Sequence, residues 1–467
     1  MTLFNLKNIN YYNYLFPIII ICFCFVNNHG FDSDWNVYIY DQYINTGILY
    51  NTLFEVTPSF SRMSHFLNAS LLKIFDYPNS FVFQSLLLSF IGYYSLYFTL
   101  KKLSINGNSK YLLLLLFISV GISSGVLTNS RVEIIYVNLL YLQIYLISIL
   151  SKSNTFLKLF LICFIGVISF SSHPNGIINL FVFGLSILFY FKKEFIFKIL
   201  TISIINLIIL YNTLFYKISF NDFYASLVIQ KNSSGYINPW YLEFQRYLHL
   251  FKENIEISII ILFLLVVALV NFKQLINAIT YKNQSVFNRQ ILIIILFILF
   301  YLTFFNGSKI SYWYLSLLFP PILILFSLII KNFSQKHSKQ LIYFFVLLNL
   351  YSISLKVLSN EIFIINYVPT SISKNINRVN KINEIIKEYS QYNVSVEPEI
   401  YVVLRKSIDF KNIHILQTKS VDHNTSDYII TKYNTFRDQF EKSNYQIVDT
   451  FKLSNLNYVI LEYINNE

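Results

Sequence analysis

The stretch LTNSRVEIIYVNLLYLQIYLISIL, residues 127–150, shows the pattern that decides the fold. A short polar connector with Arg131 and Glu133 leads directly into an apolar segment over residues 132–150. A helix needs about 20 predominantly apolar residues to cross the hydrocarbon core of a bilayer. The stretch therefore predicts a membrane-spanning helix that begins beside two charged side chains.

The same apolar character extends over most of the chain. Its 467 residues are 55% hydrophobic and 13% charged, and the mean hydropathy is +0.51. A net charge of +12 would suggest nucleic-acid binding in a soluble protein, but here the lysines lie mainly in short connectors between apolar segments. Lysines in such connectors set the orientation of the helices. We predict a polytopic α-helical membrane protein that does not bind nucleic acid.

Hydropathy predicts about eleven transmembrane helices. They cover residues 12–27, 80–100, 111–127, 132–150, 156–171, 176–191, 195–216, 256–272, 290–305, 311–330 and 340–357. One set of alternate connectors is basic, and the short connectors on the other side carry few lysines or arginines. The positive-inside rule then places the N-terminus in the cytoplasm. With an odd number of helices, the C-terminal segment lies outside.

This organisation predicts two domains. Residues 1–358 form the multi-spanning domain, with two long outer loops at 28–79 and 217–254. Residues 359–467 form a small extracytoplasmic α/β domain, because polar and apolar residues alternate there and charge returns to ordinary levels.

Several local patterns predict elements outside the spans. In the first outer loop, apolar residues recur at three and four over 36–49 and 60–75, which predicts two amphipathic helices along the membrane surface. In the C-terminal domain, DYIITKY, YQIVDTF and LNYVILEY predict strands, and INRVNKINEIIKEY and FRDQFEK predict helices.

Ionisable side chains gather at the outer ends of the predicted spans. Such groups are costly in a bilayer unless they are paired or hydrated, so their placement indicates a site at one membrane surface. The candidates are Asp32 and Asp34 in HGFDSDWNVYIYDQY, Arg62, His65, Arg131, Glu133, His173 in SSHPNGI, and Lys309. Simpler interpretations compete with this one. Arg131 would suit a hydrated rim, SSHPNGI a turn, and the aromatic residues after Lys309 an interfacial belt.

Taken together, these features resemble the GT-C fold glycosyltransferases, in particular the protein O-mannosyltransferases and lipid A aminoarabinose transferases. The resemblance rests on five features: an acidic first outer loop with Gly47 thirteen positions after Asp34, Arg-x-Glu at 131–133, HPNG at 173–176, the tyrosine-rich YWYLSLLFPP, and a terminal α/β domain containing VEPEIYVVL. It spans nearly the whole chain.

The resemblance implies a polyprenyl-phosphate-linked sugar as donor and a glycan, lipid or protein as extracytoplasmic acceptor. The expected location is the bacterial inner (plasma) membrane, whose lipids surround the protein. Transfer would invert the anomeric centre, because the acceptor attacks opposite the leaving phosphate, with a carboxylate as general base.

The family pattern also assigns roles to individual residues. Counting back from Gly47 and Tyr50 puts Asp34 on the acidic position, but Trp35 follows where the family often has Glu. Asp32 therefore stays an alternative base, and it stays open whether Asp34 and Glu133 bind a divalent metal cation. Glu133 corresponds to a second carboxylate. The substrate-binding candidates are Arg131, His173, Lys309, Arg62, His65, Tyr312 and Tyr314.

Two other functions stay open from sequence. A surface-polysaccharide (O-antigen or capsule) polymerase also acts outside the membrane on lipid-linked glycans, although many such polymerases lack a C-terminal globular domain. A transporter or flippase would also need many helices. Carriers usually place polar sites near the midplane of repeated halves, and this sequence has neither feature.

Overall fold

A computed structural model of the chain describes most of the predicted helices and part of the C-terminal segment. The described residues are 11–25, 31–46, 62–75, 79–105, 107–123, 133–150, 155–173, 176–190, 196–215, 219, 221, 224, 255–270, 319–330, 335–358, 392–397, 400–401, 413–415, 426–439, 444–453 and 456–464.

The chain divides into two compact units. The first comprises Met1–Asn28 and Ser59–Glu361, and the second comprises His29–Pro58 and Ile362–Glu467. Residues 29–58, which belong to the predicted first outer loop, thus fall with the C-terminal residues.

The described part of the first unit is helical. Its helices are α1 (Tyr12–Phe25), α3 (Arg62–Ile74), α4 (Asn79–Lys102), α5 (Gly107–Ser123), α6 (Glu133–Ser148), α7 (Thr155–Ser172), α8 (Ile177–Tyr190), α9 (Ile196–Phe215), α10 (Ile255–Val270), α11 (Phe319–Ile330) and α12 (Gln335–Leu358). The predicted span at 290–305 and the first part of the span at 311–330 lie outside the described residues, as does loop 217–254 except for three single positions. Every other predicted span coincides with a helix.

Helix α4 has the side-chain distribution of a membrane helix. Its buried positions include the small or polar residues Ser85, Ser89 and Ser95, whereas Phe83 and Phe98 are exposed. The buried face packs against α6. Phe81 and Tyr93 are buried on the same helix, so α4 directs both aromatic and small side chains at its neighbours. The buried serines and the exposed aromatic rings fit a lipid environment, where close-packed helix interfaces favour small residues.

Other helices also expose large apolar side chains. Phe197 and Leu207 on α9 are 83% and 62% exposed, and Leu269 on α10 and Leu347 on α12 are 72% and 66% exposed. Among the described residues, α4 and the Ile196–Thr213 part of α9 are long and apolar enough to cross a membrane. Apolar surface on this scale is unfavourable in water but suits a lipid environment.

Helix α5 lies at the centre of the first unit. Leu112–Leu116 are fully buried, which covers more than a complete helical turn. The helices α1, α4, α10, α11 and α12 all contact α5. Polar contacts also tie it to its neighbours: Asn349 Nδ2 donates to Ser119 Oγ at 2.7 Å, and Ser109 Oγ donates to the carbonyl of Ile330 at 3.2 Å.

The described part of the second unit contains a five-stranded sheet and two helices, one of 16 residues and one of 7 residues. The helices are α2 (Phe31–Thr46) and α13 (Tyr433–Gln439), and the strands are β1 (Val394–Val396), β2 (Ile413–Ile415), β3 (Tyr428–Lys432), β4 (Tyr445–Leu453) and β5 (Leu456–Tyr463). The strand order is β2-β1-β3-β5-β4. The β2-β1-β3 pairings are parallel, and the β3-β5-β4 pairings are antiparallel.

The sheet agrees with the sequence where the alternating pattern is long. The predicted strands correspond to β3, β4 and β5, and FRDQFEK overlaps α13. Strands β1 and β2 have three residues each, too few to give a periodic signal. The predicted helix INRVNKINEIIKEY lies outside the described residues.

Gly176 permits the close approach of α7 and α8. A Cβ atom at Gly176 would lie 2.0 Å from the carbonyl oxygen of Ser169, and that oxygen belongs to the backbone of α7. By contrast, a Cβ atom at Gly184 on α8 would have no neighbour within 4 Å.

We expect Gly176→Ala to destabilise the protein by about 1–3 kcal/mol, the usual cost of overpacking a close contact. Gly184→Ala is the matched control within α8, the helix that follows Gly176, and should leave stability unchanged or slightly raised. Thermal unfolding of both purified variants in detergent measures the difference. Equal midpoints for the two variants would contradict the packing at Gly176.

Candidate functional site

The motif SSHPNGI forms the turn between α7 and α8. The amide of His173 donates to the carbonyl of Ser169 at 3.0 Å, and the amide of Gly176 donates to the carbonyl of His173 at 2.8 Å. His173 therefore directly follows the last turn of α7, and α8 begins at Ile177. These two hydrogen bonds fix the backbone position of His173, a half-buried histidine.

His173 stacks on a tyrosine from α6. The ring centroids of His173 and Tyr136 are 5.4 Å apart, with 27° between the ring planes. Tyr136 is fully buried and lies in the first turn of α6, which begins at Glu133. The stack therefore brings the end of α7 to the start of α6. His173 and the backbone of Glu133 lie at the same end of these helices.

Two buried amide side chains connect the same three helices. Gln143 on α6 donates from Nε2 to the carbonyls of Ile162 on α7, at 2.8 Å, and of Asn179 on α8, at 2.9 Å. Asn179 in turn donates from Nδ2 to the carbonyl of Tyr136 at 3.2 Å. Gln143 and Asn179 are fully buried. In a poorly solvated interior these hydrogen bonds hold the backbone of Tyr136 beside α8.

Helix α3 carries two of the substrate-binding candidates, Arg62 and His65. Its buried face includes His65, Asn68 and Leu72, and α3 packs against α4, α7 and α9. The predicted helix over 60–75 is confirmed. The buried face contains polar groups and contacts protein helices, whereas Ser70, Lys73 and Ile74 are exposed. The position of this helix along the membrane surface stays a prediction. Arg62 begins the helix, and its side chain lies outside the described residues.

Helix α2 carries the two candidate bases. The predicted helix at 36–49 is present, but it begins earlier, at Phe31, and therefore includes Asp32 and Asp34. The five successive residues Val37–Asp41 are all buried, and they cover more than a full turn. The expectation of an amphipathic helix on the membrane surface is therefore wrong for this part of α2, which has no exposed face.

The helical backbone separates the two candidate bases. Each residue advances a helix by about 100°, so positions 32 and 34 lie about 200° apart around the axis of α2. Position 34 shares a face with Tyr38 and Asp41, at the spacing i, i+4, i+7. Positions 32 and 34 thus belong to opposite faces of α2.

The other predicted site residues cannot be placed in the same way. Arg131, Lys309, Tyr312 and Tyr314 lie outside the described residues, and the side chains of Asp32, Asp34 and Glu133 do as well. Within the part of the chain that the structure describes, no group of three or more His, Cys, Asp or Glu residues could hold a metal ion. Metal binding by Asp34 and Glu133 thus stays a prediction.

Sequence reasoning missed the residues that organise this region. Gln143 and Asn179 carry neutral amides, whereas the candidates predicted from sequence were charged residues, histidines and tyrosines. Amide side chains inside apolar spans can be used to predict contacts between helices, since a polar side chain there needs a hydrogen-bond partner. Tyr136 gave no such signal, because tyrosine is abundant throughout this sequence.

The fold is that of a helical membrane protein: its helices are largely apolar, bury some small and polar residues among the apolar ones, and expose large apolar side chains. The structure is similar over its whole length to the crystal structure of ArnT from Cupriavidus metallidurans bound to undecaprenyl phosphate. The TM-score is 0.62, the sequence identity is 8%, and 98% of each chain is covered. No family model matches the sequence, and comparison with curated proteins finds no match either. The likeness therefore shows a shared fold.

The amide network gives a stability prediction. Gln143→Leu should destabilise the protein by about 1–2 kcal/mol, because it removes two interhelical hydrogen bonds. Asn206→Leu is the control, since Asn206 is also buried but, among the described residues, donates to the carbonyl of Ile202 on its own helix, at 2.9 Å. Unfolding of both variants in detergent is the measurement. If Gln143→Leu cost no more than Asn206→Leu, the network would not hold the helices together.

Proposed function

We propose that this chain is a membrane glycosyltransferase that moves a sugar from a polyprenyl-phosphate donor to an extracytoplasmic acceptor. The observation that carries the proposal is the shared fold with ArnT over 98% of both chains, in a structure bound to undecaprenyl phosphate. The acidic first loop, Arg131 and Glu133, and the HPNG turn add support from sequence. We further propose about eleven spans, a cytoplasmic N-terminus and an extracytoplasmic C-terminal α/β domain.

The proposed reaction begins with an acceptor hydroxyl, which is a poor nucleophile until a carboxylate accepts its proton. Asp34 is the proposed base, with Asp32 as the alternative. The hydroxyl oxygen forms a bond to the anomeric carbon as the bond from that carbon to the donor phosphate breaks. Attack opposite the phosphate inverts the anomeric centre.

The lipid phosphate departs with developing negative charge, which preorganised donors and cations stabilise. Arg131 suits this role, because a guanidinium can bind phosphate with two parallel hydrogen bonds. Lys309 and His173 are proposed to support it. His173 is the one of these three that lies among the described residues, and its stack on Tyr136 restricts where the imidazole can move.

The remaining candidates contact substrate in this proposal. Arg62, His65, Tyr312 and Tyr314 are assigned to the donor or its sugar. Asp34 and Glu133 are the residues that would hold a divalent cation, and no step of the proposed reaction passes through one.

Asp34→Asn should abolish sugar transfer, because an amide cannot accept the proton of the acceptor hydroxyl, while binding of undecaprenyl phosphate stays near wild type. Asp32→Asn is the matched control. The measurement is transfer from a panel of radiolabelled polyprenyl-phosphate sugars to extracted cell-surface glycans and lipids. An active Asp34→Asn variant with an inactive Asp32→Asn variant would move the role to Asp32. A ladder of products in place of single additions would indicate a polymerase.

Arg131→Ala should weaken binding of undecaprenyl phosphate more than tenfold, the scale of losing a charged hydrogen-bond pair. Lys152→Ala is the control, since Lys152 lies in a connector expected on the cytoplasmic side. Binding of the lipid in detergent micelles measures both affinities. Equal losses would remove the phosphate role from Arg131. So would labelling of single cysteines at positions 34 and 131 from opposite sides of the membrane.

A further inference from the structure

Tyr401 joins helix α2 to the C-terminal segment within the second unit. Its hydroxyl donates to Asp41 Oδ2 at 3.0 Å, and its ring meets the ring of Tyr38 edge-on, with centroids 5.0 Å apart at 87°. All three side chains are buried, with exposures of 1% for Tyr401, 8% for Asp41 and 4% for Tyr38. Burial also raises the pKa of Tyr38 to about 12. A hydrogen bond from a hydroxyl to a buried carboxylate is among the stronger kinds.

Tyr401 is itself fixed to the sheet through Glu397. The amide of Tyr401 donates to the carbonyl of Glu397 at 3.0 Å, and the amide of Glu397 donates to the carbonyl of Ile430 on β3 at 3.2 Å. The buried Glu397 carboxylate accepts from Thr431 Oγ1 at 2.7 Å and pairs with Lys432 Nζ at 3.3 Å. The turn after β1, which runs from Glu397 to Tyr401, is thus held to β3 through both backbone and side chains.

These contacts fix the rotation of α2 about its axis. Tyr38 and Asp41 both meet Tyr401, so the face of α2 that contains them is directed at the turn after β1. Position 34 belongs to that face, about 10.5 Å from position 41 along the axis. The contacts of Tyr401 therefore determine where the backbone of Asp34 lies.

We propose that Tyr401 and Asp41 are positioning residues for Asp34: they hold α2 on the C-terminal sheet and so set the place of the base. The inference rests on the proposed function for the role of Asp34, and on the described contacts alone for the hold on α2. A helix that carries a base must keep it within a fraction of an ångström of its productive place. The C-terminal unit is on this account part of the catalytic apparatus.

The test compares Tyr401→Phe with Tyr428→Phe. Tyr428 on β3 also donates its hydroxyl to a carboxylate, Glu462 Oε1 on β5 at 2.7 Å, so its variant loses the same kind of bond at a place in the second unit that does not contact α2 through that bond. Tyr401→Phe should raise hydrogen exchange of the amides in α2 about tenfold and lower kcat for transfer about tenfold, with KM for the donor unchanged. Tyr428→Phe should change neither.

Two variants of Asp41 complete the experiment. Asp41→Leu should repeat the effects of Tyr401→Phe. Asp41→Asn should retain most of the activity, because its amide oxygen still accepts the hydrogen bond from the tyrosine hydroxyl. Unchanged exchange of α2 in Tyr401→Phe would overturn the inference, and so would raised exchange with wild-type kcat. If the wild type transferred no sugar, the proposed function would fail. The exchange comparison would still decide whether Tyr401 holds α2.

Discussion

The first unit depends on hydrogen bonds that amide side chains make inside an apolar helix bundle. Gln143 and Asn179 together join the backbones of α6, α7 and α8. Association of helices in lipid gains little from the hydrophobic effect, so packing and polar contacts decide which helices meet. Close approach at Gly176 depends on the same pairing of α7 with α8. Because these three helices are held together, the position of the turn at His173 is fixed.

The same hydrogen bonds connect the helix bundle to His173, one of the candidate site residues. Tyr136 both accepts the hydrogen bond of Asn179 at its carbonyl and stacks its ring on His173. The amide network therefore supports the backbone and the aromatic contact at one point, a single turn after Glu133. A rigid scaffold with functional groups on its connecting turns is the usual arrangement of a site. Here the scaffold is polar where it meets the turn and apolar on its outer faces.

Much of the fold could be predicted from sequence, because spans of about 20 apolar residues and strands of alternating residues are local signals. The site could be predicted less well. The environment of α2 depends on Tyr401, more than 350 positions away along the chain, and a single sequence carries no signal for such a contact. Apolar residues that recur three and four positions apart over 36–49 correctly predicted a helix. They suggested a surface helix wrongly, because the pattern does not reveal what covers each face.

The choice between Asp32 and Asp34 shows what a long-range contact adds to a local pattern. Counting back from Gly47 and Tyr50 favoured Asp34, but Trp35 in the next position left Asp32 as an alternative. Once α2 begins at Phe31, positions 32 and 34 belong to opposite faces. The contacts of Tyr38 and Asp41 with Tyr401 then set which face meets the turn after β1. Position 34 shares that face, so the assignment of the base becomes a question of helix rotation, which buried side chains two turns away control.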